Sequence, residues 1–303
     1  MIKSYHICLS AGDEIMFRSQ EDYDRGFNYF ALALAHTDSI GLVESFMLNH
    51  FHLMVQTSSH RKLMNIMRMS YSKYFNSKYH RCGRLGDVKH FYTEITGLHH
   101  HIAAMSYVLR NGVHHGIVSI PYAYQNSSVN AIFMKEMGKV NRDATIPHNR
   151  FYKYVGKRLS VPSHYKMSDR GVFLRESVLD ITQVENMFGS PRAFNYYMSR
   201  RNHEEWEKEQ ENDKNGIKAV CLSDIEGHSK LHSVDTMREI ELRRFVTGTS
   251  DIELCKEVDE LTQNRYGRKS IYLLSSSEKR AIAEFLYKQR HIPEYQIKRC
   301  LVL

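Results

Sequence analysis

The stretch from Val43 to Gln56 constrains this chain more than any other. It reads as an apolar strand with two histidines, His50 and His52, at alternating positions. Successive side chains of a strand point to opposite faces, so the two imidazoles emerge on the same side. Such a pair at the end of a buried strand is either two hydrogen-bonded polar residues or two ligands of one divalent metal. Two histidines are too few for a complete site. A third ligand has to come from another element, and the search for it leads to Tyr107 and Asn111, which lie at i and i+4 and so share one helix face.

The flanking segments alternate between the periods of helix and strand. Tyr5 to Ser10 reads as a first strand and Ala11 to Glu14 as a turn. Between Ser19 and His36 the apolar positions Phe27, Phe30, Ala31 and Leu34 recur at helical spacing. Leu63, Met64 and Met67 begin a second helix that runs to Tyr79, His90 to Ile95 reads as a strand, and Thr96-Gly97 as a break. A third helix, Leu98 to Gly112, buries Ile102, Met105 and Leu109. The order β-α-β-β-α-β-α predicts a sheet with helices packed against it. Asp22 and Asp24 are expected on a solvated helix face. His99, His100 and His101 occupy consecutive helix positions that point in different directions, so they cannot share one ion and are expected mostly at the surface. His114 and His115 are expected in a turn, with the same structural role.

Composition narrows the partners. The 303 residues suffice for two or three domains, and a formal charge of +8 favours a polyanion. The five cysteines, Cys8, Cys82, Cys221, Cys255 and Cys300, are scattered and form no C-x-x-C pair. That argues against a disulfide framework or a thiolate zinc site and predicts a reducing, cytoplasmic compartment. Met1 to His6 has no signal-peptide pattern, and the apolar run Phe30 to Ala35 is far shorter than the ~20 residues of a membrane span, so no membrane partner is expected.

A tyrosine phenol, with a pKa of about 10, is a poor nucleophile at neutral pH. It becomes effective against a phosphodiester when a metal polarises the phosphate. That chemistry requires two ligands on a sheet, a tyrosine on an adjacent helix and an amide oxygen one turn further on. His50, His52, Tyr107 and Asn111 fit the requirement.

The residues around them carry a family resemblance. Asn49-His50-Phe51-His52-Leu53-Met54-Val55 resembles the HUH motif (histidine, hydrophobic, histidine) of single-tyrosine transposases. Tyr71-Ser72-Lys73-Tyr74-Phe75-Asn76 through Gly83-Arg84-Leu85 is similar to the helix and loop that follow it there. Tyr107-Val108-Leu109-Arg110-Asn111-Gly112-Val113-His114-His115-Gly116 resembles the family's tyrosine block, with Gly112 in place of its usual proline. The motifs are similar to those of REP-associated tyrosine transposases, over roughly the first two-fifths of the chain. The resemblance implies an α+β fold, a ferredoxin-like α/β sandwich as HUH catalytic domain. It implies Mg²⁺ or Mn²⁺ held by His50, His52 and Asn111, with Tyr107 as nucleophile. It further implies cleavage and rejoining of single-stranded DNA next to hairpins. Whether Tyr107 serves its own subunit or a partner's in a homodimer stays open.

Three regions are expected: a catalytic domain at 1–125, a partly helical connection at 126–215 and a helical domain at 216–303. Basic side chains contact phosphates and aromatic faces stack on unpaired bases, so Lys73, Lys78, Arg81, Arg84 and Arg110 are candidate DNA contacts. Tyr152 and Tyr154 among Arg150, Lys153, Lys157 and Arg158 form a second basic-aromatic stretch. Ser177 to Phe188 and Pro191 to Arg201 read as helices, and Arg201 to Lys214, with Trp206, as an exposed helix or linker. Ser250 to Glu253 and Ser275 to Glu278 are capping boxes. After Pro293 a short helix is expected to turn Ile297, Cys300 and Leu301 inward and Gln296, Lys298 and Arg299 outward. The last two helices suggest a helix-turn-helix that contacts duplex DNA through Lys298 and Arg299. Rival readings are a relative that holds DNA without cutting it, and another HUH enzyme such as a relaxase or replication initiator. A histidine-triad hydrolase would need a histidine where Met54 stands.

Overall fold

The computed structural model describes residues 1–139, 143–156, 160–199 and 249–303. The first strand, β1 (Lys3–Ser10), leads into helix α1 (Gln20–His36), the hairpin β2 (Ile40–Phe46) and β3 (His50–Thr57), helix α2 (His60–Tyr79), strand β4 (Phe91–Ile95) and helix α3 (Leu98–Leu109). The four strands form one antiparallel sheet in the order β2-β3-β1-β4. The expected alternation of strand and helix is therefore present.

Strand alternation sorts the sheet's side chains into two layers. Ile7 and Leu9 of β1 and Phe51, Leu53 and Val55 of β3 pack with Phe27 and Phe30 of α1 and Leu63, Met67 and Phe75 of α2. Burial of each such side chain contributes about 1.5–3 kcal/mol. Met54, Leu42, Val43 and Ile95 pack instead with Ile102, Met105, Val108 and Leu109 of α3. Leu42 and Val43 are neighbours yet share a layer because β2 carries a register shift between Gly41 and Val43. In the β1–β3 register Cys8 lies opposite His52 and Ser10 opposite His50.

The start of α1 departs from expectation. Asp22 is fully buried, whereas Asp24 is partly exposed. The Asp22 carboxylate accepts the backbone N–H groups of Arg18 and Ser19, the hydroxyls of Tyr74 and Tyr79, and the Lys78 ammonium. Five donors compensate the burial of one charge, which hydropathy alone does not reveal. The α2 helix begins before its apolar run, at Ser59, whose side chain accepts from Lys62 N–H.

The third helix stops earlier than its periodicity suggests. It ends at Leu109, and Asn111 opens a separate turn, α4 (Asn111–His114). Gly112 fits here because a Cβ would come within 2.7 Å of the Tyr124 ring. Beyond it, Phe46 N–H donates to Asn126 O, Ser45 bridges to Ser127, and Glu44 N–H donates to the Ser128 hydroxyl. These contacts cover the outer edge of β2. Strands β5 (Thr145–Ile146) and β6 (Met167–Ser168) pair, and short helices α5 (Tyr152–Val155) and α6 (Arg175–Val178) flank them. The helix expected from Ser177 is broken, because Leu179 bridges to Gly41. Asp180 then caps α7 (Ile181–Phe188) by accepting from Gln183 N–H, and α8 spans Pro191–Ser199.

The final helices are α9 (Asp251–Tyr266), α10 (Ser276–Arg290) and α11 (Glu294–Leu301). Both expected capping boxes are formed, at Ser250 with Glu253 and at Ser275 with Glu278. Leu254, Val258, Ile282, Leu286, Ile297 and Leu301 make a core that also encloses Ile15. The Arg18 guanidinium, buried within it, donates to Cys300 O at 2.9 Å and to Asp259 at 2.9 Å. The outward placement expected on α11 is corrected in two places. Gln296 is buried and donates to Thr249 O, and Arg299 pairs with Asp251 beside the Tyr295 ring. Lys298 is exposed and pairs with Glu294. Among the described residues no helix is long and apolar enough to cross a membrane. The sequence readings at Lys157, Arg158, Arg201 to Lys214 and Cys221 fall outside the described residues.

Candidate metal and tyrosine site

The face of the sheet that meets α3 carries a cluster of imidazoles. His50 and His52 emerge on one side, as their spacing predicts, with ring centroids 5.1 Å apart. His6, on the neighbouring strand, stacks on His52 with centroids 5.2 Å apart, and its Nε2 lies 3.0 Å from His52 Nδ1. Tyr107 projects from α3 onto the same group, its ring 5.4 Å from that of His52 and 6.3 Å from that of His6. His114 lies 5.5 Å from the Tyr107 ring, and His115 4.9 Å from that of His50.

His6, His50, His52 and His115 are buried, and burial governs the protonation of His6 and His52. His6 and His52 are fully buried. Burial pushes the His6 pKa down to about 3. Burial first, and then the adjoining histidines His50, His6, His115 and His114, hold His52 well below the ordinary imidazole value. A neutral imidazole keeps a lone pair for a cation. Asn49 orients His50: its amide N–H donates to Gly12 O, so its Oδ1 is the acceptor 2.9 Å from His50 Nδ1. The Nδ1 of His50 therefore carries a proton, and in the neutral ring Nε2 holds the lone pair.

Among the described residues no three His, Cys, Asp or Glu side chains form a metal-holding group. A third protein donor would be of another type. Asn111 is fully buried, and neither atom of its amide has a hydrogen-bond partner. An orphaned buried polar group costs about 1–3 kcal/mol, and a cation would relieve it at Oδ1. His52 Nε2 is orphaned in the same way. Imidazole nitrogen and amide oxygen are suitable donors for a divalent cation, so the residues fit the expected ligand set.

The basic residues singled out in the sequence are dispersed. Helix α2 packs on the layer opposite the histidines. Of its cations, Lys73 is exposed, whereas Lys78 is held by Asp22 at 2.8 Å and Glu21 at 2.9 Å. Arg81 makes a two-pronged contact with Glu14 at 2.6 and 2.8 Å. Arg84 is exposed in a loop that reaches the histidine-bearing end of the sheet, where Asp87 N–H donates to Ser10 O. Arg110 is partly exposed at the junction of α3 and α4. Lys298 and Arg299 lie on α11.

Three site residues escape sequence reading. His6 has the strand parity of Cys8, but only the pairing of β1 with β3 reveals it as a neighbour of His52. His114 and His115, expected to be unremarkable turn residues, face Tyr107 and His50, and His115 is buried. In the His99–His101 run, His100 is buried rather than at the surface; its Nδ1 lies 3.0 Å from Thr96 O.

No protein-family model matches the chain, and no curated protein matches it. A solved structure described as "Structure of the REP associates tyrosine transposase bound to a REP hairpin" aligns with a TM-score of 0.39 at 10% sequence identity, covering 52% of this chain and 93% of that one.

Proposed function

We propose that this protein is a metal-dependent transposase-type enzyme that cleaves and rejoins hairpin-bearing single-stranded DNA through Tyr107. The observation that carries the reading is the placement of Tyr107 against His52, on the sheet face shared with His50, with the orphaned amide of Asn111 four residues further on, in α4. The strand order β2-β3-β1-β4, with α1 and α2 on one face, is the one a ferredoxin-like sandwich would have, and α3 covers the other face.

In this reading His50, His52 and Asn111 hold Mg²⁺ or Mn²⁺, which supplies polarisation of the scissile phosphate. The Tyr107 hydroxyl would give its proton to solvent as its oxygen bonds to phosphorus. The bond from phosphorus to one deoxyribose oxygen breaks, and that oxygen leaves as a hydroxyl after taking up a proton. The phosphotyrosine linkage conserves the bond, so an incoming DNA hydroxyl can reverse the step and rejoin a strand without ATP. His6 and His52, both fully buried, flank the Tyr107 ring. In this reading Arg84, Arg110 and, on the layer away from the histidines, Lys73 would contact phosphates, and the +8 formal charge suits that partner. Helices α10 and α11, joined through Ile292, suit a helix-turn-helix that meets duplex DNA.

The test is incubation of hairpin-bearing single-stranded DNA with Mn²⁺ and the protein. A covalent adduct that Tyr107→Phe abolishes is expected. The burial of Tyr107, 7% exposed, favours one rival, a DNA-holding relative that does not cut. Hairpin binding without any adduct would decide for that rival.

A further inference from the structure

We propose that His6 is a positioning residue for His52: it accepts the Nδ1 proton of His52 and so presents the Nε2 lone pair of His52 to a bound divalent cation. The inference rests on the metal-site reading above. It follows from counting protons on two rings. His6 Nε2 and His52 Nδ1 are 3.0 Å apart, both residues are fully buried, and neither ring's other nitrogen has a hydrogen-bond partner. A neutral imidazole has one N–H and one lone pair, so only two arrangements satisfy the shared bond.

In the first, His52 Nδ1–H donates to His6 Nε2, His6 keeps its proton on Nδ1, and His52 Nε2 is a lone pair. In the second, His6 Nε2–H donates to His52 Nδ1, and His52 carries its proton on Nε2. Both hold the same number of protons. Only the first lets His52 bind a cation through the nitrogen that points away from His6. The Asn49 amide imposes the matching arrangement on His50, so the two histidines would offer the same type of nitrogen. Ligating histidines commonly donate their second N–H to a carboxylate, a carbonyl or water, which fixes ring orientation and tautomer. Here a third imidazole takes that place. It accepts the proton without bringing a negative charge into the site.

Two readouts on the full-length protein test the assignment. Nitrogen-15 NMR of the histidine rings in metal-free protein locates the His52 proton, expected on Nδ1. Manganese binding, followed by the paramagnetic resonance of free Mn²⁺, is then compared across variants. His6→Leu fills the space without an acceptor and is expected to weaken Mn²⁺ binding about 10–100-fold. His6→Gln, whose amide oxygen can accept the same proton, is expected to recover most of that loss. His52→Ala tests the underlying reading. Unchanged Mn²⁺ binding in His52→Ala would reject the metal site itself. Loss in His52→Ala with parental affinity in His6→Leu, or a proton on Nε2 of His52 in the parent, would overturn the role of His6 alone. Melting temperatures monitor folding, and the NMR measurement on the parent decides even where a variant fails to fold.

Discussion

Replacing Asp22 with Asn removes one charge from a buried hub without changing its shape. Asp22 Oδ2 accepts from Arg18 N at 2.8 Å, Ser19 N at 2.9 Å and the Tyr79 hydroxyl at 2.7 Å. Oδ1 accepts from the Tyr74 hydroxyl and from Lys78 Nζ, each at 2.8 Å. An asparagine whose carbonyl replaces Oδ2 keeps three acceptor contacts, now neutral and weaker. Its NH₂ then faces Tyr74 and Lys78. The Tyr74 hydroxyl can rotate to accept, and Lys78 retains Glu21 at 2.9 Å. Hydrogen bonds to charged groups contribute about 1.5–3 kcal/mol each, and breaking a buried pair costs about 3–5 kcal/mol. With Glu21 and the rotating hydroxyl offsetting part of that, a loss of about 3 kcal/mol is expected. Urea unfolding should show a lower midpoint with an unchanged slope, since the surface exposed on unfolding is the same. A change below about 0.5 kcal/mol, the range of an ordinary surface substitution, would refute the hub. Lys78→Met should likewise act on stability more than on the salt dependence of DNA binding.

Arg18→Met should loosen the C-terminal helices from the sheet domain by about 3 kcal/mol, because Asp259 and Cys300 O lose their partner; limited proteolysis between the two should accelerate, and an unchanged digestion rate would contradict the tie. Gly112→Ala should destabilise by about 1–3 kcal/mol through contact with Tyr124, read as a lower melting temperature. Acid should unfold the protein partly through His6. Its pKa is about 3 in the folded chain against an ordinary 6.5, so below pH 6.5 the unfolded chain binds a proton that the folded one does not. Its penalty is absent above that pH and grows by about 1.4 kcal/mol per pH unit as pH falls towards 3. His6→Leu should flatten that part of the stability profile, and parallel profiles would count against it.

Much of the sheet was legible because its signals are local. The parity of His50 and His52, the apolar spacing of α1 and the capping boxes at Ser250 and Ser275 all depend on neighbours within a few residues. What escaped depends on pairing across the fold. Asp22 looks like a surface carboxylate until α2 brings Tyr74, Lys78 and Tyr79 to it. Lys78 and Arg81 look free for a ligand until Glu21, Asp22 and Glu14 neutralise them. Gln296 has the polarity of an outer position, yet Thr249 O gives it a buried partner. His6 shows the same limit inside the site: its parity is readable, but its partner His52 lies 46 residues away.

The most direct measurement is anomalous scattering from a crystal of the protein grown with Mn²⁺. A single strong peak is expected in contact with His50, His52 Nε2 and Asn111 Oδ1, on the side of the sheet where Tyr107 lies. A protein that takes up Mn²⁺ with its peak bound elsewhere, and Asn111 turned away, would contradict the account.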